Sequence, residues 1–358
     1  MSQLKKLPCS AMPLALKTFI SFLILFLFYQ AFSLYPEWRR SHSFDDILEN
    51  DAIPLLHPHG GSECLPVLNS SLITESESIR SICQNIAPFS SSGPRIGRVT
   101  AHFGSHQEHY QKALQTHLLH SMIHDTPLEV MCTAVVDSLW NKPAFLLSLL
   151  LDEMMKPDEE RLEWLFWVDR DTLILDQCRP ISSFLPDAAR SHSDTERRGE
   201  DGDSEINLLV TNDWNGLNNG VFLVRVNQWA IKLFSNIAAF RHYRPNVSLP
   251  FTEQSAMEIA MNEPEFRKNI QLVPQEWFNA YPKDTPTAFE ERRDDQGLKD
   301  YHARRGDFLL HFAGRPGRDK LINQWDNMLK RRRGTWKPEE MQRNTTANIQ
   351  RFWSKLGY

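Results

Sequence analysis

The sequence lacks the features that would assign it a class at once. Its formal charge is only −5 over 358 residues, so there is no excess of basic residues to indicate nucleic-acid binding. No internal repeat is recognisable along the chain. Cysteine is scarce at five residues. What is present is 41% hydrophobic and 24% charged residues, a composition typical of a globular protein with a sizeable core.

Long hydrophobic runs are also absent from most of the chain, and the exception lies near the N-terminus. Residues 14–34 are almost wholly apolar and carry one charge, Lys17. About 20 such residues span a bilayer as a helix. We therefore expect an uncleaved signal-anchor at 14–34 behind a short cytoplasmic tail at 1–13, rather than a signal peptide cleaved near Ser33. Basic residues on the two sides nearly balance, so charge alone leaves the orientation open.

Composition divides the rest of the chain into further segments. Residues 35–94 are rich in proline, glycine and serine, which predicts a stem between the membrane and the body of the protein. We place the body at residues 95–330 and a C-terminal extension at 331–358. Within the body, residues 186–206 are highly charged and almost free of apolar side chains, which predicts a disordered surface insertion.

Sequons and cysteines favour a lumenal body. Sequons begin at Asn69, Asn246 and Asn344. Four cysteines lie beyond the anchor and allow three pairings. In an oxidising lumen we expect the pairs Cys64–Cys83 and Cys132–Cys178, with buried free thiols as the alternative.

Periodicity predicts alternating strands and helices in the body. Strands are predicted over 98–103, 129–136 and 165–168, with helices over 107–123 and 144–155. This alternation indicates an α/β fold with a mostly parallel central sheet. In such sheets ligands sit beyond the carboxyl ends of the strands.

Asp169-Arg170-Asp171 lies at such a strand end, directly after the apolar run 165–168. Side chains two residues apart on a strand share a face, so we expect the two carboxylates to lie together, with Arg170 facing away. A hard divalent cation, Mn²⁺ or Mg²⁺, suits such ligands and could in turn grip a diphosphate. The plainer alternative is a strand that ends in a polar turn.

Three further blocks carry candidate polar side chains. Residues 211–225 are dense in asparagine, aspartate and glycine before an apolar strand, and amides of this kind suit sugar hydroxyls. Thr252 is a candidate helix N-cap, with Gln254 just inside the helix. His311 lies in an apolar strand at 308–312, where it is either a core residue or a metal ligand that supplements the acidic pair.

Two patterns are assigned no function. His117, His120 and His124 share a helical face at a spacing that could bind zinc, but no carboxylate partner is evident. The basic run at 330–333 is interpreted as a solvated or phosphate-attracting surface.

Taken in order, these blocks resemble glycosyltransferase family 34, of the fungal α-galactosyltransferase and α-1,6-mannosyltransferase (GMA12/MNN10-like) type. The similar segments are FWVDRDTLI, DWNGLNNGVFLVRVNQW, EQSAM, VPQEWFNAYP and GDFLLHFAG, and the resemblance covers roughly residues 95–325. The resemblance implies a single GT-A-like domain in a single-pass type II Golgi membrane protein. The implied activity is the retaining transfer of galactose or mannose from a nucleotide-sugar to a glycan acceptor.

The resemblance also implies roles for individual residues. Mn²⁺ or Mg²⁺ would be held by Asp169, Asp171 and His311. The donor, UDP-galactose or GDP-mannose, would contact Asp169, Asp171, Asn218, Asn219 and Gly220. The candidate catalytic residues are Asp213 and Gln254. Homo- or hetero-oligomers with other glycosyltransferases are compatible with this class of protein, and no nucleic-acid partner is expected.

One position departs from the family pattern. The middle residue of the acidic motif is usually small, and here it is Arg170. The departure keeps a second function open, a catalytically degenerate glycan-binding or scaffold protein with the same fold. A metal-dependent phosphodiesterase is a weaker alternative, because a two-metal hydrolase needs more carboxylates or histidines than the sequence groups together.

Overall fold

The computed structural model describes residues 55–68, 70–86, 93–186 and 205–358. The predicted tail at 1–13, the anchor at 14–34, Asn69 and most of the charged insertion lie outside the described residues. Among the helices in the described ranges, none is both long and apolar enough to cross a membrane.

Nine strands and eight α-helices form the framework of these ranges. The strands are β1 (Leu56–His59), β2 (Ile96–Ala101), β3 (Leu128–Met131), β4 (Trp164–Val168), β5 (Thr172–Ile174), β6 (Leu208–Asp213), β7 (Gly216–Arg225), β8 (Ile270–Leu272) and β9 (Leu309–His311). The helices are α1 (Ser70–Ile86), α2 (Glu108–His124), α3 (Asn141–Met154), α4 (Gln228–Tyr243), α5 (Glu253–Met261), α6 (Pro286–Glu291), α7 (Arg318–Arg332) and α8 (Thr345–Lys355).

Seven strands form one mixed, mostly parallel sheet in the order β1-β3-β2-β4-β7-β6-β8. Pairing is parallel along β1-β3-β2-β4 and between β6 and β8, while β7 runs antiparallel to both of its neighbours. A separate antiparallel ribbon joins β5 to β9. The predicted α/β class with a mostly parallel sheet is confirmed.

The central strands are buried on both faces, which explains their unbroken apolar sequences. In β4, Leu165 and Trp167 pack into the core beneath α3, α4 and α5, whereas Trp164 and Phe166 pack into the opposite core. That second core includes Trp353 of α8. Residues 331–358 are therefore not a loose extension, because α8 contributes to the packing of the domain.

The predicted elements are present, with shifted ends. The helix predicted over 107–123 is α2, and the one predicted over 144–155 is α3, which begins three residues earlier. The strand predicted over 129–136 ends at Met131, where the chain leaves the sheet. The sequence beyond Met131 gave no signal for that end, because Ala134, Val135 and Val136 continue the apolar run.

The structure differs from the prediction of a stem over residues 35–94. Leu56–His59 pairs in parallel with β3, and Ser70–Ile86 forms α1, which packs on α2. Composition did not predict β1 because Pro58 argues against a strand. Proline is nevertheless tolerated on an edge strand, which is the position of β1. Pro54–Tyr358 forms one compact unit, which therefore starts well before residue 95.

The expected disulfide pairing is wrong. The structure contains the pairs Cys64–Cys132 and Cys83–Cys178. Because β1 and β3 run in parallel, the segments that follow them, with Cys64 and Cys132, leave the sheet at the same edge. Cys83 lies on α1 and reaches the segment after β5. The prediction that each cysteine pairs with the next one along the chain failed because the order of strands in the sheet differs from their order in the sequence.

Candidate functional site

A cavity of about 810 Å³ opens at the carboxyl ends of β2 and β4. The reversed strand β7 starts at the same edge, since Val168 at the end of β4 pairs with Val221. The ribbon brings in a third segment, because Thr172 pairs with His311. The candidate site residues that line the cavity are Asp169, Asp171, Asn218, Asn219, Gly220, Gln254 and His311. Asp213 is the predicted site residue missing from that lining.

The acidic cluster consists of Asp169, Asp171 and His311, whose ligand atoms all lie within 4.8 Å of one another. The two carboxylates meet as expected, but for a different reason. Strand β4 ends at Val168, and the chain turns at Arg170 before β5 begins at Thr172. The close approach of the carboxylates is therefore set by a turn between two sheets and not by strand periodicity.

Asp171 is buried and engaged by Arg318 and His311. Its Oδ2 accepts a hydrogen bond from Nη1 of Arg318 at 2.5 Å, and His311 Nε2 lies 3.4 Å from Oδ1. Burial alone would raise the pKa of the Asp171 carboxyl, but His311 and Arg318 hold it well below its usual range. Asp171 is thus an anion at neutral pH, in a position that attracts positive charge.

Asp169 is held from the other side of the cavity. Its Oδ1 accepts from Trp167 Nε1 at 2.8 Å and lies 3.0 Å from the buried ammonium of Lys142. Lys142 also lies 3.5 Å from Glu253 Oε1. Burial alone would lower the pKa of Lys142, but Asp169 and Glu253 raise it, so the lysine is charged.

His311 packs directly against the backbone of Gly220. A methyl group at Gly220 would lie 2.2 Å from Cε1 of His311, so a side chain at this position would displace the imidazole. His311 Nδ1 pairs with Asn279 Oδ1 at 2.7 Å, which leaves Nε2 directed toward Asp171. An imidazole fixed through one nitrogen and free to bind through the other is typical of metal-binding histidines.

Asp213 supports the site from outside the cavity lining. It ends β6, and its Oδ2 accepts from the Tyr281 hydroxyl at 2.7 Å and from Asn218 Nδ2 at 3.0 Å. Asn218 in turn accepts from Asn279 Nδ2 at 3.0 Å through its Oδ1. Burial and the Asp213 carboxylate raise the pKa of Tyr281. Asp213 therefore orients the amide network that holds His311.

Gln254 and Asn219 join α5 to β7 at the floor of the cavity. Gln254 Oε1 accepts from the backbone N–H of Asn219 at 3.2 Å. Lys142 Nζ donates to both the backbone oxygen and Oδ1 of Asn219 at 3.0 Å. Thr252 is the N-cap residue as predicted, although its hydroxyl bonds Glu253 and makes no cap hydrogen bond.

Arg170 points away from the acidic cluster, as the sequence predicted. Its guanidinium lies over the ring of Tyr110 at 4.3 Å and donates to the backbone oxygen of Phe103 at 3.4 Å. The unusual arginine leaves both carboxylates of the acidic cluster in place.

Sequence reasoning missed several charged and polar members of the site. They are Lys142, Glu253, Asn279 and Arg318. Lys142 had one signal available, since a lysine in the first turn of an otherwise apolar helix is out of pattern. The other three carry no local signal, because ordinary helix starts and loops hold such residues on their surfaces.

The histidine cluster, His117, His120 and His124 with Arg98, forms no common metal site in the described structure. Each imidazole has its own partner, Thr172 Oγ1 at 2.9 Å, Arg179 O at 2.8 Å and Gln177 O at 2.8 Å respectively. Buried Arg98 donates to the His117 carbonyl and pairs with His120 Nδ1, both at 2.6 Å. Burial lowers the pKa of all three imidazoles, to about 4 for His124, so they are neutral packing groups.

Two proteins similar to this chain are fungal hexosyltransferases by name. An uncharacterized α-1,2-galactosyltransferase of Schizosaccharomyces pombe is 27% identical over 246 residues, 63% of this chain and 68% of the relative. The probable α-1,6-mannosyltransferase MNN10 of Saccharomyces cerevisiae is 28% identical over 167 residues, 42% of this chain and 41% of the relative.

Among solved structures, a glycosyltransferase involved in the glycosylation of the major capsid of PBCV-1 aligns with 64% of this chain and 99% of its own length. Its TM-score is 0.45 and its sequence identity is 16%. Residues 128–319, which hold the acidic cluster, Asn218 and Gln254, match the galactosyl transferase GMA12/MNN10 family. Since that match covers more than half of the chain, the protein belongs to this family and is a glycosyltransferase of the hexosyltransferase class.

Proposed function

We propose that this protein is a metal-dependent, retaining hexosyltransferase of GT-A type. In this proposal it transfers galactose or mannose from UDP-galactose or GDP-mannose to a glycan acceptor. The observation that carries the proposal is the acidic cluster, in which two carboxylates and one imidazole converge on a cavity large enough for a nucleotide-sugar. The names of the relatives, galactosyltransferase and mannosyltransferase, supply the two donor candidates.

The donor set of the acidic cluster suits a divalent ion. Carboxylate oxygens and one imidazole nitrogen are ligands that Mn²⁺ accepts, with Mg²⁺ as the harder alternative. The cluster already attracts cations of the chain itself, since Arg318 pairs with Asp171 and Lys142 with Asp169. A bound ion would be held by Asp169, Asp171 and His311, and its charge would offset the negative charge that builds on a departing diphosphate.

The remaining residues position the reactants in this proposal. Asn218 and Asn219 line the cavity, with amides that Asp213 and Lys142 hold in place. Gln254 lines the cavity and is the better placed of the two candidate catalytic residues to touch the sugar. Asp213 acts as a positioning residue, because its carboxylate is occupied by Tyr281 and Asn218.

The proposal is tested by nucleoside diphosphate release from the full-length protein. UDP-galactose and GDP-mannose are each supplied with mannose oligomers, with and without Mn²⁺ or Mg²⁺. We expect release with one donor that depends on metal and rises with acceptor. No release with either donor would favour a glycan-binding scaffold, and release that ignores the acceptor would favour hydrolysis.

Retention of configuration requires its own measurement. Both candidate donors carry an α-linked sugar at the anomeric carbon, so a retaining enzyme yields an α-linked product. We expect proton NMR of the initial product to show the α-anomer. A β-linked product would exclude the retaining mechanism and leave metal dependence untouched.

We further propose a Golgi membrane protein with its body in the lumen. Asn246 supports this proposal because its sequon lies in an exposed loop after α4. Asn344 is less suited to carry a glycan, since its side chain accepts from Ala347 N as the N-cap of α8. We expect a glycosidase-sensitive mass shift in cells that Asn246→Gln reduces, and its absence from the unmodified sequence would contradict a lumenal body.

A further inference from the structure

The tip of the β6–β7 hairpin presents an exposed tryptophan beside the site. Trp214 and Asn215 form the two-residue turn, and the side chain of Trp214 is 67% exposed. Gly216 makes the tight turn possible, with φ of +103° and no room for a Cβ beside Glu258. Tryptophan is normally well buried, so a rigid turn that holds one in solvent needs an explanation.

Two tyrosines surround this tryptophan and fix its orientation. The Tyr281 ring meets it edge-to-face with centroids 5.3 Å apart, and the Tyr301 ring is tilted against it at 5.6 Å. Tyr281 and Tyr301 also contact each other edge-to-face. We call Trp214, Tyr281 and Tyr301 the aromatic platform.

The aromatic platform is connected to the acidic cluster by short contacts. Tyr281 lies 5.9 Å from the His311 ring, centroid to centroid. Its hydroxyl contacts Asp213 and Asn218, both at 2.7 Å, and Asn218 lines the cavity. Through Tyr281, the aromatic platform therefore directly contacts two residues of the cavity lining, Asn218 and His311.

We propose that the aromatic platform binds a hexose unit of the acceptor glycan. The proposal rests on the transferase function proposed above and adds a subsite to it. A pyranose ring has an apolar face of C–H groups, which packs well on the electron-rich face of tryptophan. Its hydroxyls need polar neighbours, and the exposed amides of Asn212 and Asn215 flank Trp214. An aromatic surface bordered by amides fits a sugar better than it fits an apolar protein surface.

The test is direct binding of oligosaccharides to the full-length protein, which needs no turnover. The probes are α-linked mannotetraose and β-linked cellotetraose, titrated by calorimetry. We expect Trp214→Ala to lower the affinity for whichever probe binds by about three- to tenfold, because one stacking contact is lost. Trp214→Phe should restore much of that affinity. Tyr243→Ala, which removes an aromatic residue of similar exposure at the end of α4, should leave binding unchanged.

Two outcomes would overturn the platform. One is that Trp214→Ala changes the affinity for neither probe. The other is an equal loss of affinity for nucleoside diphosphate in Trp214→Ala, which would show general damage to the site. If the protein turns over no donor yet binds an oligosaccharide through Trp214, the transferase proposal fails while the platform stands.

Discussion

The acidic cluster and the histidine cluster are both buried groups of ionisable side chains, and they differ in what satisfies them. In the histidine cluster each imidazole has a partner from the fold itself, two of them backbone carbonyls. In the acidic cluster the carboxylates face a cavity and are paired with long cationic side chains that line the same cavity, Lys142 and Arg318. The residues of the histidine cluster are regularly spaced in sequence. The acidic cluster, which faces the cavity, joins Asp169 and Asp171 to the distant His311.

The comparison teaches that burial alone does not identify a site. A buried polar group with a fixed internal partner stabilises the fold, since removing the partner leaves an unsatisfied atom. A buried polar group whose partner can be exchanged for a ligand is available for chemistry. Substitutions in the acidic cluster should therefore affect turnover, and substitutions in the histidine cluster should affect stability.

The largest effect is expected for Asp171→Asn. Removing this charge should lower kcat/KM by about 100- to 1,000-fold, because stabilisation of the leaving diphosphate is lost. The free energy of unfolding should change little, since Arg318 is 39% exposed and can be hydrated. Asp158→Asn, at a carboxylate that is 88% exposed, is the matched control and should be fully active. An active Asp171→Asn enzyme would refute the metal site.

The converse result is expected for His120→Ala. This change removes the partner of Arg98 Nη2 and of the Arg179 carbonyl and opens a cavity, so we expect a loss of about 2–4 kcal/mol in the free energy of unfolding. Turnover per folded molecule should be retained. Chemical denaturation measures the first quantity, and His242→Ala on the surface of α4 serves as control. A stable but inactive variant would assign the histidine cluster a functional role.

An intermediate effect is expected for Gly220→Ala. The added methyl group would meet His311, so the imidazole must shift and affinity for Mn²⁺ should fall about 10- to 100-fold. Calorimetric titration of Mn²⁺ gives this value directly. Gly93→Ala, whose methyl would make only ordinary contacts at 3.5 Å, should bind normally. Unchanged affinity in Gly220→Ala would remove His311 from the ligand set.

A smaller effect should appear in the pH dependence of stability. Asp307 is fully buried, and burial raises the pKa of its carboxyl to about 7 despite the nearby Arg343. A raised pKa in the folded state means that the proton favours folding, so the contribution of Asp307 to stability is full below about pH 4 and is lost as the pH rises toward 7. The buried imidazoles of the histidine cluster, whose pKa is lowered, act in the opposite direction. The wild type should therefore gain less stability than Asp307→Asn between pH 5 and pH 7, as measured by denaturation at pH 5, 6 and 7. An identical pH dependence of the two proteins would show that Asp307 does not contribute to it.

The smallest effect is expected for Arg170→Ala. Because the guanidinium lies over Tyr110 and not between the carboxylates, we expect affinity for Mn²⁺ to change by less than about threefold. Calorimetry against the wild type measures the change. A gain or loss of tenfold would show that this unusual arginine tunes the metal site.

Much of the fold was predictable from sequence because periodicity reports burial locally. Trp164–Val168 and the part 221–224 of Gly216–Arg225 are apolar on both faces, as central strands require. The short strands β1 and β5 were not predictable, since three or four residues carry no period, whereas β9 lies within the strand predicted at 308–312. Their pairing depends on which segments meet in space.

The candidate site was predictable where its residues lie in short sequence motifs. Asp169, Asp171, His311 and Asn218 all line the cavity, and the family pattern marks each of them. Lys142 and Arg318 were missed because their roles exist only after α3 and α7 dock at the strand ends. Asp213 lies outside the cavity lining, and the sequence could not show that Tyr281 and Asn218 engage its carboxylate.

The two disulfides bear on the order in which the protein is made. Their cysteines are separated by 68 and 95 residues, so β1 and α1 leave the ribosome well before the partners that hold them. Until Cys132 and Cys178 have been synthesised, this early segment has no sheet to join, and contacts so distant in sequence form slowly. The protein should therefore pass through a late step of oxidative closure during biosynthesis. A chain shortened to begin at residue 95 would carry two orphan thiols and an uncovered β3 edge.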